Sequence, residues 1–165
     1  MSTLRVDSIR GQTADGTNRY VVQVVSTTST TATSFSTGDW SDLSGLSVTI
    51  TPSSSNNKIL IMANINASYN DAGMLRVLRD STVVGSGTEG NDADKRGFAM
   101  VRQGAQNEVD TYSITHLDSP ATTSAVTYKI QGNRDGGSGT AYINRRNSNA
   151  DYSTSSHITL MEIAQ

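Results

Sequence analysis

The sequence predicts an all-β protein, and three observations support this prediction. Ser and Thr make up about a quarter of the 165 residues, and both suit strands and turns better than helices. Short segments of alternating apolar and polar residues recur between turn-rich stretches, as in half-buried strands. No segment shows a convincing apolar period of 3.6 residues. We therefore expect eight to ten short antiparallel strands packed as two sheets.

The first strand signal lies at the N-terminus. Leu4 and Val6 alternate with charged residues, and Ile9 follows before a turn-rich segment begins. This stretch has no local partner, so residues 1–19 are either a frayed terminus or an extended arm that adds a strand to a partner. Residues 20–38 combine an apolar run with a Ser/Thr-rich connector. The connector could be a flexible linker, but we expect an extended edge strand, because Thr fits a pleated surface.

Residues 39–165 show strand signals at the spacing expected of one sandwich domain. The clearest is Lys58–Tyr69, which begins as a continuous apolar run and then alternates. Apolar side chains on both faces indicate a central strand, or a strand whose second face meets another subunit. Residues 133–139 are rich in Asn, Asp and Gly and predict a hairpin loop. The other predicted strands lie at 46–51, 74–79, 82–84, 98–101, 111–117, 125–131, 140–145 and 157–164.

Composition and motifs argue against several classes of function. The chain has no Cys and a formal net charge of −2, so it offers neither a thiolate site nor the basic surface typical of nucleic-acid binding. A signal-peptide pattern and a membrane-spanning apolar run are both missing from the sequence. Residues 85–90 match G-x-G-x-x-G, but turn-forming residues follow where a dinucleotide site needs a helix. We interpret this segment as a glycine-rich loop.

The titratable residues suggest no catalytic centre. Residues 91–94 and Asp135 lack the spacing of a calcium loop, although a weak cation site is the alternative to solvated loop acids. His116 and His157 are too few for a zinc site without Cys, and no nucleophile elbow accompanies the serines. We expect these histidines to be surface or interface residues. The sequence therefore predicts no enzyme activity, no metal and no cofactor.

One segment resembles a known family. Residues 116–131, HLDSPATTSAVTYKIQ, resemble bacteriophage tail-fibre and virion structural proteins of the type common in marine phages. The opening LRVDSI is similar to the start of many such proteins, and the resemblance covers most of the chain from Trp40 onward. Three further segments fit the same family: ITPS at 50–53 running into KILI at 58–61, AYINR at 141–145, and TLMEIA at 159–164.

The resemblance implies an antiparallel jelly-roll β-sandwich, similar to the tumour-necrosis-factor-like trimers, displayed on the virion surface after assembly in the bacterial cytoplasm. It implies a non-enzymatic structural protein, a short tail fibre, spike knob or capsid decoration, because the chain is short for a full fibre. Leu4, Val6 and Ile9 would attach the arm to other virion proteins. The expected partners in the particle are two further copies of the chain. The candidate trimer-interface residues are Ile59, Ile61, Ile65, Tyr128, Tyr142 and Leu160.

A host-glycan-binding module of a tail fibre is the alternative function. In that case the loops at 85–97, 133–139 and 147–156 would contact surface sugars. Trp40 and the tyrosines could supply aromatic platforms, although their strand positions favour packing in a core or an interface. A depolymerase would need a pair of placed carboxylates, which the three glutamates of the chain do not reveal.

Overall fold

The computed structural model describes residues 19–36, 38–69, 72–89, 95–102, 108–135 and 139–165. These ranges contain strands and no α-helix, so the all-β prediction is confirmed. Accordingly, no helix in them is long and apolar enough to cross a membrane. The strands are β1 (Val21–Ser29), β2 (Thr33–Phe35), β3 (Ser41–Ile50), β4 (Lys58–Tyr69), β5 (Ala72–Arg79), β6 (Thr82–Val84), β7 (Ala99–Arg102), β8 (Asp110–Asp118), β9 (Val126–Arg134), β10 (Ala141–Ile143) and β11 (Ser156–Ile163).

The strands form two antiparallel sheets. In sheet 1, β1 pairs with β11 and β11 pairs with β4, while β8 pairs with the other edge of β4. Beyond the end of β11, the same edge of β4 pairs with β10, and β10 in turn pairs with β2. In sheet 2, β3 pairs with β9 and β9 with β5, whose other edge is shared by β6 and β7. The two sheets pack face to face around one core, in a sandwich-like arrangement.

Alternation along the strands determines which side chains enter this core. In β4, alternate residues from Ile59 to Ala67 are at most 2% exposed, and their neighbours are partly exposed. Val126, Tyr128 and Ile130 of β9 face the same core from sheet 2. Because successive side chains of a strand point to opposite faces, one face of each strand enters the core and the other faces outward.

The Ser/Thr-rich connector forms edge strands rather than a flexible linker. It contributes the second half of β1, which pairs with β11, and all of β2, which pairs with β10. The Phe35 ring packs edge-to-face against Tyr69, with the ring centroids 5.7 Å apart. This apolar contact anchors β2 to the core, so the edge-strand prediction is confirmed.

The prediction of a hairpin loop at residues 133–139 is wrong, because β9 and β10 do not pair with each other. Asn133 and Arg134 still belong to β9, which lies in sheet 2, whereas β10 lies in sheet 1. Both edges of β9 are already paired, with β3 and β5, so the chain crosses to the end of β4 and pairs there instead. Turn-forming residues indicate a change of direction, but they do not specify which sheet the next strand joins.

Candidate functional site

Most of the predicted trimer-interface residues lie in the core of a single chain. Tyr142 is the exception, because it is partly exposed and the Arg145 guanidinium lies 4.5 Å from its ring centroid. Side chains enclosed between the two sheets have no surface to offer a second copy. An interface on these strands would therefore use their opposite faces. The five trimer-interface candidates with 0% exposure are Ile59, Ile61, Ile65, Tyr128 and Leu160.

The outer face of sheet 1 carries an apolar row that crosses four strands. Val24 of β1 pairs with Met161 of β11, Met161 with Leu60 of β4, and Leu60 with Leu117 of β8. We call these four residues the apolar row. Val24 is 53% exposed and Leu117 is 45% exposed, while the two residues between them are partly exposed. Sequence reasoning noted the second apolar face of β4 but did not assign residues to it.

The surroundings of the apolar row are nearly uncharged. Val21 pairs with Ile163 beside the row and is 48% exposed, so the apolar surface extends to that end of the sheet. Met62 lies on the other side of the row, between Thr159 and Thr115. On the strand residues of this outer face that the structure describes, Lys58 is the only Lys, Arg, Asp or Glu side chain.

The far end of the same face is a hydrogen-bonded polar network. Asn64 Nδ2 lies 3.1 Å from His157 Nε2, and Ser113 Oγ donates to Asn64 Oδ1 over 2.5 Å. Thr111 Oγ1 donates to Asn66 Oδ1, also over 2.5 Å. Because these side chains satisfy one another across β8, β4 and β11, they hold the outer face of the sheet in one arrangement.

The structure does not bring the two histidines together. His157 lies on the outer face of sheet 1, whereas His116 is on the inner face of β8, beneath Gly85. Gly85 has a φ of 61°, and a Cβ at this position would lie 2.9 Å from the His116 ring. Asp135 forms an ion pair of 2.6 Å with Lys95. Within the described ranges, no group of three His, Cys, Asp or Glu residues could hold a metal ion.

Two residues of the segment at 116–131 form a polar contact between the sheets. Tyr128 Oη of β9 and Arg79 Nη1 of β5 both donate to Asp118 Oδ2 of β8, each over 2.6 Å. Asp118 is only 8% exposed. Burial, reinforced by the Asp118 carboxylate, raises the pKa of Tyr128, so its hydroxyl remains a donor. This part of the segment therefore has a structural role in the chain.

The C-terminal segment contains a buried carboxylate with a similar role. Glu162 is 0% exposed, and it accepts hydrogen bonds from Gln23 Nε2, Asn57 Nδ2, and both the amide and the hydroxyl of Ser53. Burial alone would raise the pKa of Glu162, but the hydrogen bonds from Asn57, Gln23 and Ser53 hold it below its ordinary value of 4.5. The carboxylate ties β1 and the β3–β4 loop to β11.

A pocket of about 280 Å³ lies beside the loop at 147–156 and is lined by Val109, Arg146, Tyr152 and Thr154. Tyr152 is 61% exposed, and the Arg146 guanidinium lies 4.1 Å from its ring centroid. Sequence reasoning selected this loop as a candidate sugar contact, but it missed Arg146 and Val109. Val109 precedes β8, and no local pattern places it beside a loop more than thirty residues later.

The other predicted contacts are only partly visible. Leu4, Val6 and Ile9 lie outside the described residues, as do residues 91–94 and parts of the two other candidate loops. No protein-family model matches the sequence, and no curated protein is significantly similar to it. A function must therefore be inferred from the outer face of sheet 1 and from the pocket beside the loop at 147–156.

Proposed function

We propose that the protein is a non-enzymatic structural component of a bacteriophage virion surface, either a short tail fibre, a spike knob or a capsid decoration. Three copies associate through the outer face of sheet 1, and the N-terminal arm attaches them to the particle. The apolar row carries this proposal, because it is a continuous, exposed or partly exposed apolar surface that crosses four strands. Surfaces of this kind mark sites of protein association.

The order of the strands supports a jelly-roll topology. Sheet 1 has the order β1-β11-β4 with β8 beyond, and sheet 2 has the order β3-β9-β5 with β6 and β7 beyond. The chain changes sheets at each connection from β2 to β5 and again from β7 to β10. Strands remote in sequence therefore become neighbours, as in the paired Greek keys of a jelly roll.

Charge favours a second copy of the same chain as the partner of this face. Identical surfaces repel each other when each carries a large charge of one sign. Here Lys58 is the only Lys, Arg, Asp or Glu side chain on the described strand residues of the face, so two copies of the face can approach closely. The Thr and Ser residues beside the apolar row can form a polar rim, which is typical of stable interfaces.

The oligomeric state tests the proposed interface. We expect light scattering to give the mass of three chains for the wild type and of one chain for Leu117→Asp or Val24→Asp, because each variant buries a charge in the contact. Val83→Asp is the matched control, since Val83 is 37% exposed on β6 of the other sheet. The proposal would be contradicted if the wild type were a monomer, or if Leu117→Asp and Val24→Asp remained trimers.

The attachment arm has its own test. Deletion of residues 1–19 should leave a folded trimer, because the strands from β1 onward supply the described core. Incorporation into particles should be lost, since the arm is proposed to add a strand to another virion protein. Virions assembled with the truncated chain would show by gel and immunoblot whether it is retained. Normal incorporation would exclude the arm as the attachment.

Recognition of host glycans is a second candidate function. The observation that favours it is the pocket at Arg146 and Tyr152, because an exposed aromatic ring beside hydrogen-bonding side chains is a suitable surface for sugars. This function is compatible with a trimer on the virion surface, since the pocket is not part of the apolar row. The side chains that line the pocket indicate which class of glycan it would bind.

A further inference from the structure

We propose that the pocket lined by Val109, Arg146, Tyr152 and Thr154 binds one pyranose ring of a neutral polysaccharide. This inference rests on the glycan-recognition function proposed above and assigns that function to specific side chains. The pocket measures about 280 Å³, which is near the lower limit for small-molecule sites. Its size suits a single sugar ring, with the rest of the polysaccharide chain lying outside in solvent.

Tyr152 and Val109 supply the apolar side of the site. The C–H bonds on one face of a pyranose form an apolar patch that packs against an aromatic ring. Tyr152 remains 61% exposed although the Arg146 guanidinium lies over its ring, so aromatic surface is still available to a ligand. The side chain of Val109 lines the same pocket and extends this apolar surface.

Thr154 supplies a polar partner that the protein itself leaves unused. Its Oγ1 atom is buried and has no hydrogen-bond partner, which is unfavourable for a hydroxyl removed from water. The nearby Ser156 hydroxyl, in contrast, donates to Asn144 Oδ1 and accepts from the Asn66 amide. Thr154 lines the pocket, so a rotation about its χ1 that turns Oγ1 toward the ligand allows it to pair with a sugar hydroxyl in either role, because a hydroxyl can both donate and accept.

The position of Arg146 favours a neutral sugar over an acidic one. Its Nε donates to Asn149 Oδ1 over 2.5 Å, and its Nη2 lies 3.4 Å from Asp151 Oδ2. Asn149 Nδ2 also donates to Asp151, so the guanidinium is held in place before any ligand arrives. Because Asp151 balances its charge, the site lacks the excess positive charge that would select a carboxylate-bearing sugar.

Glycan binding by the full-length protein tests both the function and the site. The wild type is applied to an array of neutral and acidic oligosaccharides, and the best neutral ligand is then titrated by calorimetry. Tyr152→Ala should weaken binding by about tenfold or more, and Tyr152→Phe by less than about threefold, because the phenyl ring preserves the stacking surface. Thr154→Val keeps the shape of the side chain and should weaken binding about fivefold through the lost hydroxyl.

Tyr20→Ala is the matched control, and we expect it to bind as the wild type does. Tyr20 is also exposed, but it lies beside Ala164 at the opposite end of the β1–β11 pair. The urea midpoint of each variant shows whether it is folded. Absence of any glycan binding by the wild type at high micromolar concentration would overturn both the glycan function and the site.

Two other outcomes would overturn the site alone. Neutral-glycan binding that survives both Tyr152→Ala and Thr154→Val would place recognition elsewhere and leave the glycan function standing. Binding confined to acidic oligosaccharides would exclude a neutral pyranose as the ligand, even if it depended on Tyr152. Selective loss of neutral-glycan binding in Tyr152→Ala and Thr154→Val, with Tyr20→Ala unaffected, is the result expected from the proposal.

Discussion

Asp118 accepts hydrogen bonds from Tyr128 and Arg79, which approach it from two neighbouring strands of the opposite sheet. Asp118 and Tyr128 both belong to the segment at 116–131. Their contact joins β8 to β9 across the interior. It also provides the Asp118 carboxylate, which is 8% exposed, with a hydrogen bond that water would otherwise donate. These two residues of the segment therefore serve the fold, because they join the two sheets.

Tyr128→Phe should destabilise the protein by about 1.5–3 kcal/mol, because it removes a hydrogen bond to a carboxylate while retaining the buried ring. The measurement is the urea midpoint at an unchanged m-value. Tyr152→Phe is the control, and its exposed hydroxyl should contribute less than about 0.5 kcal/mol. Equal effects in the two variants would show that the Asp118 contact does not stabilise the fold.

Glu162 makes stability depend on pH. Its pKa in the folded protein lies below the ordinary value of 4.5. Its hydrogen-bonded network therefore stabilises the fold above pH 4.5, and this contribution is lost as pH falls through the folded pKa. Glu162→Gln should be less stable at pH 7 by about 1–3 kcal/mol, because its amide places a donor against the donors of Asn57 and Gln23.

The pH dependence separates Glu162 from other acidic groups. In urea unfolding between pH 7 and pH 3, the difference between the wild type and Glu162→Gln should narrow as pH falls. Glu89→Gln changes an exposed glutamate and should follow the wild type throughout. A constant difference between the wild type and Glu162→Gln across the whole pH range would contradict the proposed role of the carboxylate.

At the level of elements, Gly73 determines how closely β5 approaches its neighbours. A Cβ on Gly73 would overlap the carbonyl oxygen of Asn133 on β9 and the Tyr69 ring at the end of β4. Gly73→Ala should therefore destabilise the protein by about 1–3 kcal/mol, as overpacked core substitutions do. Gly87→Ala, where no atom lies within 4 Å of the added Cβ, should change the thermal midpoint little. Comparable losses in both variants would exclude the steric explanation.

The elements also show which local patterns are sufficient for prediction. β4 and β6 have the bounds that their sequences predict, because apolar alternation and flanking turn residues agree. β9 extends beyond its predicted end, because Gly132 and Asn133 are buried between partner strands that sequence alone does not reveal. The pairing of β10 with β4 replaces the expected hairpin for the same reason.

For the whole molecule, the proposed association follows from how strands remote in sequence are ordered. Val24 and Met161 are more than one hundred residues apart, yet they are adjacent members of the apolar row. The interface candidates Ile59, Ile61 and Leu160 lie on β4 and β11, which also contribute to the row, but their side chains are enclosed in the core. Period-two alternation separates the two faces of such a strand, but it does not identify which face is enclosed when both are apolar.

The amino-acid sequence alone predicts the all-β class, most of the strands and the two apolar faces of β4. The folded chain adds which strands share a sheet, which face of β4 remains outside, and which distant side chain completes the pocket. Strand formation follows from local alternation and turn residues, whereas strand pairing joins backbone groups far apart in the chain. The apolar row arises from that long-range pairing, and Val109 completes the pocket from more than thirty residues before the loop at 147–156.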